Sequence, residues 1–221
     1  MVERKYAAMS SECELLHELI ASRHRLGASF DPAAIPSSGI YVMFQKSEQG
    51  HGGDRIVRVG THRRDGELPS RLIQHFIREN KDRSIFRKHV GRTLLTRIND
   101  PFIVEWDLDL TTKASRDVHG GAIDAVRKAE VEREVSTFLA DEVTFVTFPV
   151  PIRAMRLDIE KSLLATIAAC QECGPSPEWL GNDHPNAKIR KSGLWNIQGL
   201  NGTPFDNDEI ARRLIPLLSD H

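Results

Sequence analysis

The sequence has few cysteines, no long apolar run and almost no net charge, and each shortage excludes something. Cys13, Cys170 and Cys173 are an odd, small set, which argues against a disulfide framework. Cys170 and Cys173 do show C-x-x-C spacing in "CQEC". A zinc site built on them would need a second pair, or two histidines at matching spacing. His184 lies nearby, but no fourth ligand is evident along the chain. Two reduced thiols at a helix end are the simpler reading; a metal-binding regulator built around "CQEC" is the sharper one. No apolar stretch approaches the roughly 20 residues that cross a bilayer. "MVERKYAAMSSEC" has no apolar segment of the secretory kind, so a cytoplasmic location and no membrane partner are expected. Internal repeats and low-complexity tracts are also lacking.

The formal net charge of −1 gives no hint of a nucleic-acid partner, but its distribution does. Residues 54–97 carry twelve Lys and Arg against five Asp and Glu, with His62, His75 and His89 in addition. Local positive charge is the footprint of a phosphate-backbone partner. The alternative is a solvated face of helices.

The 221 residues suit one domain with embellishments. Helix is expected over 10–26, 69–79, 83–95, 120–140 and 155–172, from apolar stripes at helical spacing. Strands are expected at 39–45 and 55–60, joined by the glycine-rich loop "SEQGHGGD". "PFIVEWDLDL" (101–110) alternates and β-branches like a further strand, as does "VTFVTFPVP" (143–151). The tail after 173 is rich in turn residues but carries Trp179, Leu180, Leu194 and Trp195, so it should wrap and pack. The class is α+β, with a small mixed or antiparallel sheet flanked by helices.

Four placements on these elements bear chemistry. Tyr41 follows the glycine that opens the first strand, in "SSGIYVMF". Arg58 interrupts the apolar run "RIVRVG" on its partner, where a buried two-strand core has no use for it. Arg71 and His75, four apart, share one helix face and can bind an anion together; an exposed pair without a partner is equally consistent with the spacing. Glu160 stands on the apolar face set by Leu163, Leu164 and Ile167. A buried, unpaired carboxylate costs several kcal/mol, so it must be paired, capped or metal-bound. Arg153 and Arg156, with Asp158 alongside, allow a plain salt-bridge reading.

Taken in order, these residues resemble the GIY-YIG nuclease family over roughly residues 38–172. "GIY" stands intact at Gly39–Ile40–Tyr41. The second motif reads "RVG", with Arg58 where the family usually has tyrosine; some restriction enzymes of the family also have a basic residue there. The family's arginine matches Arg71, the tyrosine or histidine four residues on matches His75, and the metal-binding glutamate matches Glu160. For the asparagine that follows the glutamate helix, Asn182, Asn186 and Asn196 compete. The resemblance implies a GIY-YIG-like core in residues 31–221, with an N-terminal helical extension (1–30), an insertion at about 83–140 and a wrapping tail. It also implies a DNA endonuclease hydrolysing phosphodiesters with one Mg²⁺ or Mn²⁺ held by Glu160. Tyr41 would be the general base, Arg58 and Arg71 would neutralise phosphate, and His75 would bond phosphate or water. Arg63, Arg64, Lys81, Arg83, Arg87 and Lys88 would contact the backbone of double-stranded DNA. Restriction-type defence is the expected setting, with repair as a rival, and a homodimer would let one complex cut both strands. The competing class is a nucleic-acid-binding module of the same fold without activity.

Overall fold

The computed structural model describes residues 2–219, with side chains from residue 11. In chain order it has α1 (Val2–Ala21), β1 (Gly39–Gly50), β2 (Gly53–Gly60), α2 (Leu68–Phe76), α3 (Ile85–Arg97), α4 (Ile103–Trp106), α5 (Lys113–His119), α6 (Ala125–Glu142), β3 (Val143–Pro149), α7 (Arg153–Ala169) and α8 (Ala187–Ser192), then a helical run over 207–219. The strands form one antiparallel sheet in the order β2-β1-β3, so the fold is α+β. No described helix is long and apolar enough to cross a membrane.

Side chains alternate across the sheet, and both faces are covered. On one face Ile40, Val42 and Phe148 pack with Leu16 and Ile20 of α1, Ile159 and Leu163 of α7, and Ile210 and Leu214 of the last helical run. On the other face Tyr41, Met43 and Phe145 pack with Leu72 and Phe76 of α2, Phe86 and Val90 of α3, Val135 and Leu139 of α6, and Trp179 and Trp195 of the tail. The N-terminal helix and the segment expected as an insertion thus each supply one wall of the core. The tail wraps and packs, as its tryptophans predict.

Local chemistry corrects three expectations. The hairpin connection is two residues, His51 and Gly52, not eight. Both adopt positive φ (50° and 78°), the backbone of the tight turn whose twist suits paired strands. "PFIVEWDLDL" is not a strand: Asp100 Oδ1 accepts the Phe102 N–H at 2.8 Å and opens α4. Phe102 and Trp106, four apart, then bury the same face, and Trp106 Nε1 donates to Lys88 O at 3.0 Å. The long charged helix starts at Ala125, because Asp124 caps it by accepting from the N–H groups of Val126 and Arg127. The glycines before it make a separate turn.

Burial also removes two residues from the expected DNA surface. Arg87 is fully buried: its Nε donates to Glu132 Oε2 at 2.9 Å, and its Nη2 to Glu132 O and Ser136 Oγ. Lys81 is 1% exposed, with Nζ donating to Asp82 Oδ1 and Leu108 O. Neither ammonium nor guanidinium can leave these acceptors for a phosphate without stranding them. Lys88 is half-buried and donates to Asp107 O. Arg63, Arg64 and Arg83 are exposed, with no ion pair among the described residues.

The tail is docked on α3 by a histidine pair. His184 Nδ1 accepts from the Asn186 N–H, so its proton sits on Nε2 and is donated to His89 Nδ1, 3.0 Å away. Both rings are buried, and burial pushes His184 down to about 4 and His89 to about 2. Their folded-state values lie below the ordinary ~6.5. The stabilisation is therefore fully present above that pH and lost as pH falls through the window towards about 4. Urea unfolding between pH 7.5 and 5 should show stability falling by about 1–2 kcal/mol for each of the two rings. The paired change His89→Gln and His184→Gln should reduce that slope; an unchanged slope contradicts the neutral pair.

Candidate active site

The site is built where β1 begins and β2 ends. Tyr41 is paired with Gly60 in register, and its ring lies across that glycine: a Cβ there would stand 2.2 Å from Tyr41 Oη. The same economy holds at Gly39, where a Cβ would meet Phe148 O at 2.2 Å. The glycines of both short motifs are thus set by close approach. Three residues back from Gly60, β2 bulges: Met43 pairs with Arg58 and Phe44 with Ile56, leaving Val57 unpaired. The regular register up to that point puts Arg58 on the same face as Tyr41, with its guanidinium 5.0 Å from the Phe86 ring, and the bulge turns Val57 onto that face as well.

Tyr41, 1% exposed, bonds through Oη to His75 Nε2 at 3.0 Å. His75 Nδ1 is bonded in turn to Ser84 Oγ at 2.7 Å. Ser84 caps α3 by accepting the Arg87 N–H, so a helix cap fixes the imidazole. Burial holds His75 well below the usual histidine range, helped by the positive charges of Arg71, Arg58 and Arg87. It is a neutral ring at ordinary pH. Arg71, on the same helix face as expected, is half-buried and donates to Arg83 O at 3.0 Å.

Arg58 donates from Nη1 to Trp195 O at 2.9 Å, while its buried Nε has no acceptor among the described residues. A buried guanidinium with a spare donor is suited to an anion. Glu160 comes to the same place from α7. It makes no ion pair among the described residues, so the salt-bridge alternative fails. Arg156 pairs instead with Asp65, Asp158 with Arg213, and Arg153 Nε donates to Arg63 O. Burial raises the Glu160 carboxyl, against the opposing charges of Arg58 and Arg71 and a hydrogen bond from the Thr61 backbone. A desolvated carboxylate without a paired cation is the donor that a hard divalent ion takes, with water in its other positions.

Among the three asparagines, Asn196 lies at the site. Its Nδ2 donates to Val59 O at 2.9 Å and its Oδ1 accepts the Val59 N–H at 3.3 Å, between Arg58 and Gly60. Asn182 instead holds Ser176 O and Pro177 O, and Asn186 caps α8. Sequence reasoning missed Thr61, Ser84 and His62. His62 accepts the Gly39 N–H at Nε2 and donates to Arg64 O, clamping the start of β1. Ser84 carried a signal, as a serine directly before a helix; the other two carried none.

The structure therefore gathers Tyr41, Arg58, Arg71, His75 and Glu160 at one end of the hairpin. A protein-family model described as a GIY-YIG domain matches residues 2–212. Neither the curated proteins nor the solved structures give a match.

The Gly60 contact can be tested. Gly60→Ala must displace the Tyr41 ring, breaking its bond to His75, and should cost about 1–3 kcal/mol by overpacking. Gly53→Ala, with nothing within 4 Å of its added Cβ, is the control. Equal melting temperatures for the two variants would disprove the close approach.

Proposed function

The chain belongs to the GIY-YIG domain family, which implies nuclease-type activity on nucleic acid, and from that membership we propose a divalent-metal-dependent DNA endonuclease centred on Tyr41 and Glu160. The observation that carries this reading is Glu160 itself: half-buried, without an ion pair among the described residues, and within the field of two arginines beside a Tyr–His relay. Bound at Glu160, Mg²⁺ or Mn²⁺ would supply positive charge to the phosphate and acidify a water.

The chain's own residues account for the rest. Arg58 and Arg71 bind the scissile phosphate and offset the charge that builds on it. Tyr41 takes the proton of the attacking water. His75, neutral and bonded to Oη, is able to receive the tyrosine's own proton as this happens. Ser84 holds the imidazole in line. Asn196 supports the strand beneath, by binding both backbone groups of Val59.

Arg63, Arg64 and Arg83 remain as exposed phosphate contacts. A groove of about 410 Å³ is lined in part by Lys161, Lys188 and Asn201, and two of its lining residues, Lys161 and Ile197, are the chain neighbours of Glu160 and Asn196. These two lysines take the place of Lys81 and Arg87 in the nucleic-acid surface. Restriction-type defence is favoured because some restriction enzymes of the family also have a basic residue where Arg58 stands. A homodimer would let one complex cut both strands.

The test is cleavage of supercoiled and linear duplex DNA with Mg²⁺, Mn²⁺ or EDTA. Tyr41→Phe and Glu160→Ala should each lower the rate by about 10²-fold or more, while circular dichroism stays unchanged. Metal-dependent cleavage that survives Glu160→Ala would overturn the site. Binding without cleavage in any metal would favour a binding module; the 1% exposure of Tyr41 is the feature that keeps that reading in play.

A further inference from the structure

At the other end of the β1–β2 hairpin, about 20–25 Å from Tyr41 by the length of β2, the chain gathers a second set of chemistry-bearing side chains. Cys13 from α1, His51 from the hairpin turn, and Cys170 and Cys173 from the end of α7 place one ligand atom each within 4.8 Å of all the others. Cys13 Sγ is 3.4 Å from Cys173 Sγ, and His51 Nε2 is 3.3 Å from Cys170 Sγ. All three cysteines are buried and free. We propose that Cys13, His51, Cys170 and Cys173 form a structural zinc site.

The geometry carries this. Zinc with bonds of about 2.3 Å to sulfur and about 2.0–2.1 Å to nitrogen holds tetrahedral ligands about 3.5–3.8 Å apart. The observed separations bracket that range. A disulfide needs about 2.05 Å, uses two of the three thiols, and gives His51 no part. His51 occupies a turn position at φ 50°, where glycine, asparagine or aspartate would be the easier residues. Its ring is directed inward, and the side chain is 3% exposed. The second nitrogen, Nδ1, lies 3.9 Å from Glu172 Oε2, longer than a hydrogen bond, so a carboxylate of the kind that orients a metal-bound imidazole stands beside it without holding it.

His17 also lies close but is already committed. Its Nδ1 donates to Cys13 O at 2.9 Å and its Nε2 accepts the Ile56 N–H at 3.3 Å. Four protein ligands leave no open coordination position, so this ion fastens rather than catalyses. It joins three elements whose ligands span 160 residues: α1, the hairpin turn and the end of α7. The "CQEC" pair thus finds its partners in Cys13 and His51, not in His184. The inference does not depend on the nuclease reading.

The protein should be purified under reducing conditions from zinc-supplemented cultures and analysed by elemental mass spectrometry; about one zinc per chain is expected. Co²⁺ alone, added to the metal-free protein, should give the absorption of a tetrahedral thiolate site. His51→Gly is the decisive variant. Glycine suits the left-handed turn, so a purely conformational role predicts unchanged or raised stability. The zinc site predicts a loss of zinc affinity of about tenfold or more, and a lower melting temperature in zinc. His51→Cys should retain the metal. Zinc well below stoichiometric in the parent protein, with no Co²⁺ spectrum, overturns the proposal. So does a Cys13–Cys173 disulfide in the freshly reduced and purified chain.

Discussion

Arg87 is the interaction on which the most structure depends. Its guanidinium spends its donors on Glu132 of α6, on Ser136 one turn further and on the carbonyl of His75 at the end of α2. Its backbone N–H goes to Ser84, the residue that fixes the His75 ring. Glu132 is engaged on its other oxygen by the Lys81 N–H. One buried ion pair therefore joins α2, α3 and α6 beneath the candidate site. Removing either partner would leave a buried charge, at a cost of about 3–5 kcal/mol. The 83–140 segment is thus no appendage to a compact core, because it holds the imidazole that Tyr41 meets.

That arrangement explains the electrostatics above it. Four basic side chains and one carboxylate are crowded around Tyr41, yet only part of the positive charge is neutralised locally. Arg87 is compensated by Glu132, and His75 stays uncharged because burial and three nearby arginines oppose its protonation. Arg58 and Arg71 remain without a carboxylate salt bridge among the described residues. Glu160 feels both, but its net response is still set by desolvation. Two arginines without a paired carboxylate and a carboxylate without a paired cation thus stand in one small volume, and the proposed phosphate and metal roles rest on that arrangement.

Much of the fold was legible locally. Apolar periodicity located the large helices, and β-branching located β3. "GIY" with "RVG", Arg71, His75 and Glu160 picked out, in order, residues that the fold gathers at one end of the hairpin. The failures have a common physical source in partners distant along the chain. "PFIVEWDLDL" has strand composition, but the buried face of α3 accepts Phe102 and Trp106 from one helical turn, and packing overrides propensity. Charge counts cannot separate a solvated arginine from one buried on a glutamate 45 residues away, as Arg87 is. The spacing of Cys13, His51, Cys170 and Cys173 fits no local motif, because three elements must first fold together. Asn196 could not be chosen over Asn182 and Asn186, because its role is to meet a strand 137 residues earlier.

A sheet of three strands has two edges, and unpaired edges invite aggregation. Here each edge is closed by a short segment rather than by another strand. Leu26 exchanges both backbone hydrogen bonds with Phe145 on β3. On β2 the Trp195 N–H goes to Val57 O, and the Asn196 amide takes both groups of Val59. The second closure has a chemical consequence. Val57 is the bulged residue next to Arg58, and Trp195 O accepts from Arg58 itself. The tail that seals the edge therefore also sets the position of the arginine that departs from the family's tyrosine. A tyrosine at that position would offer no second donor for Trp195 O alongside a phosphate, whereas a guanidinium can serve both. The substitution at Arg58 and the wrapping of the tail are in this sense one feature: the arginine is anchored from the edge side through Nη1, while its Nε has no acceptor among the described residues.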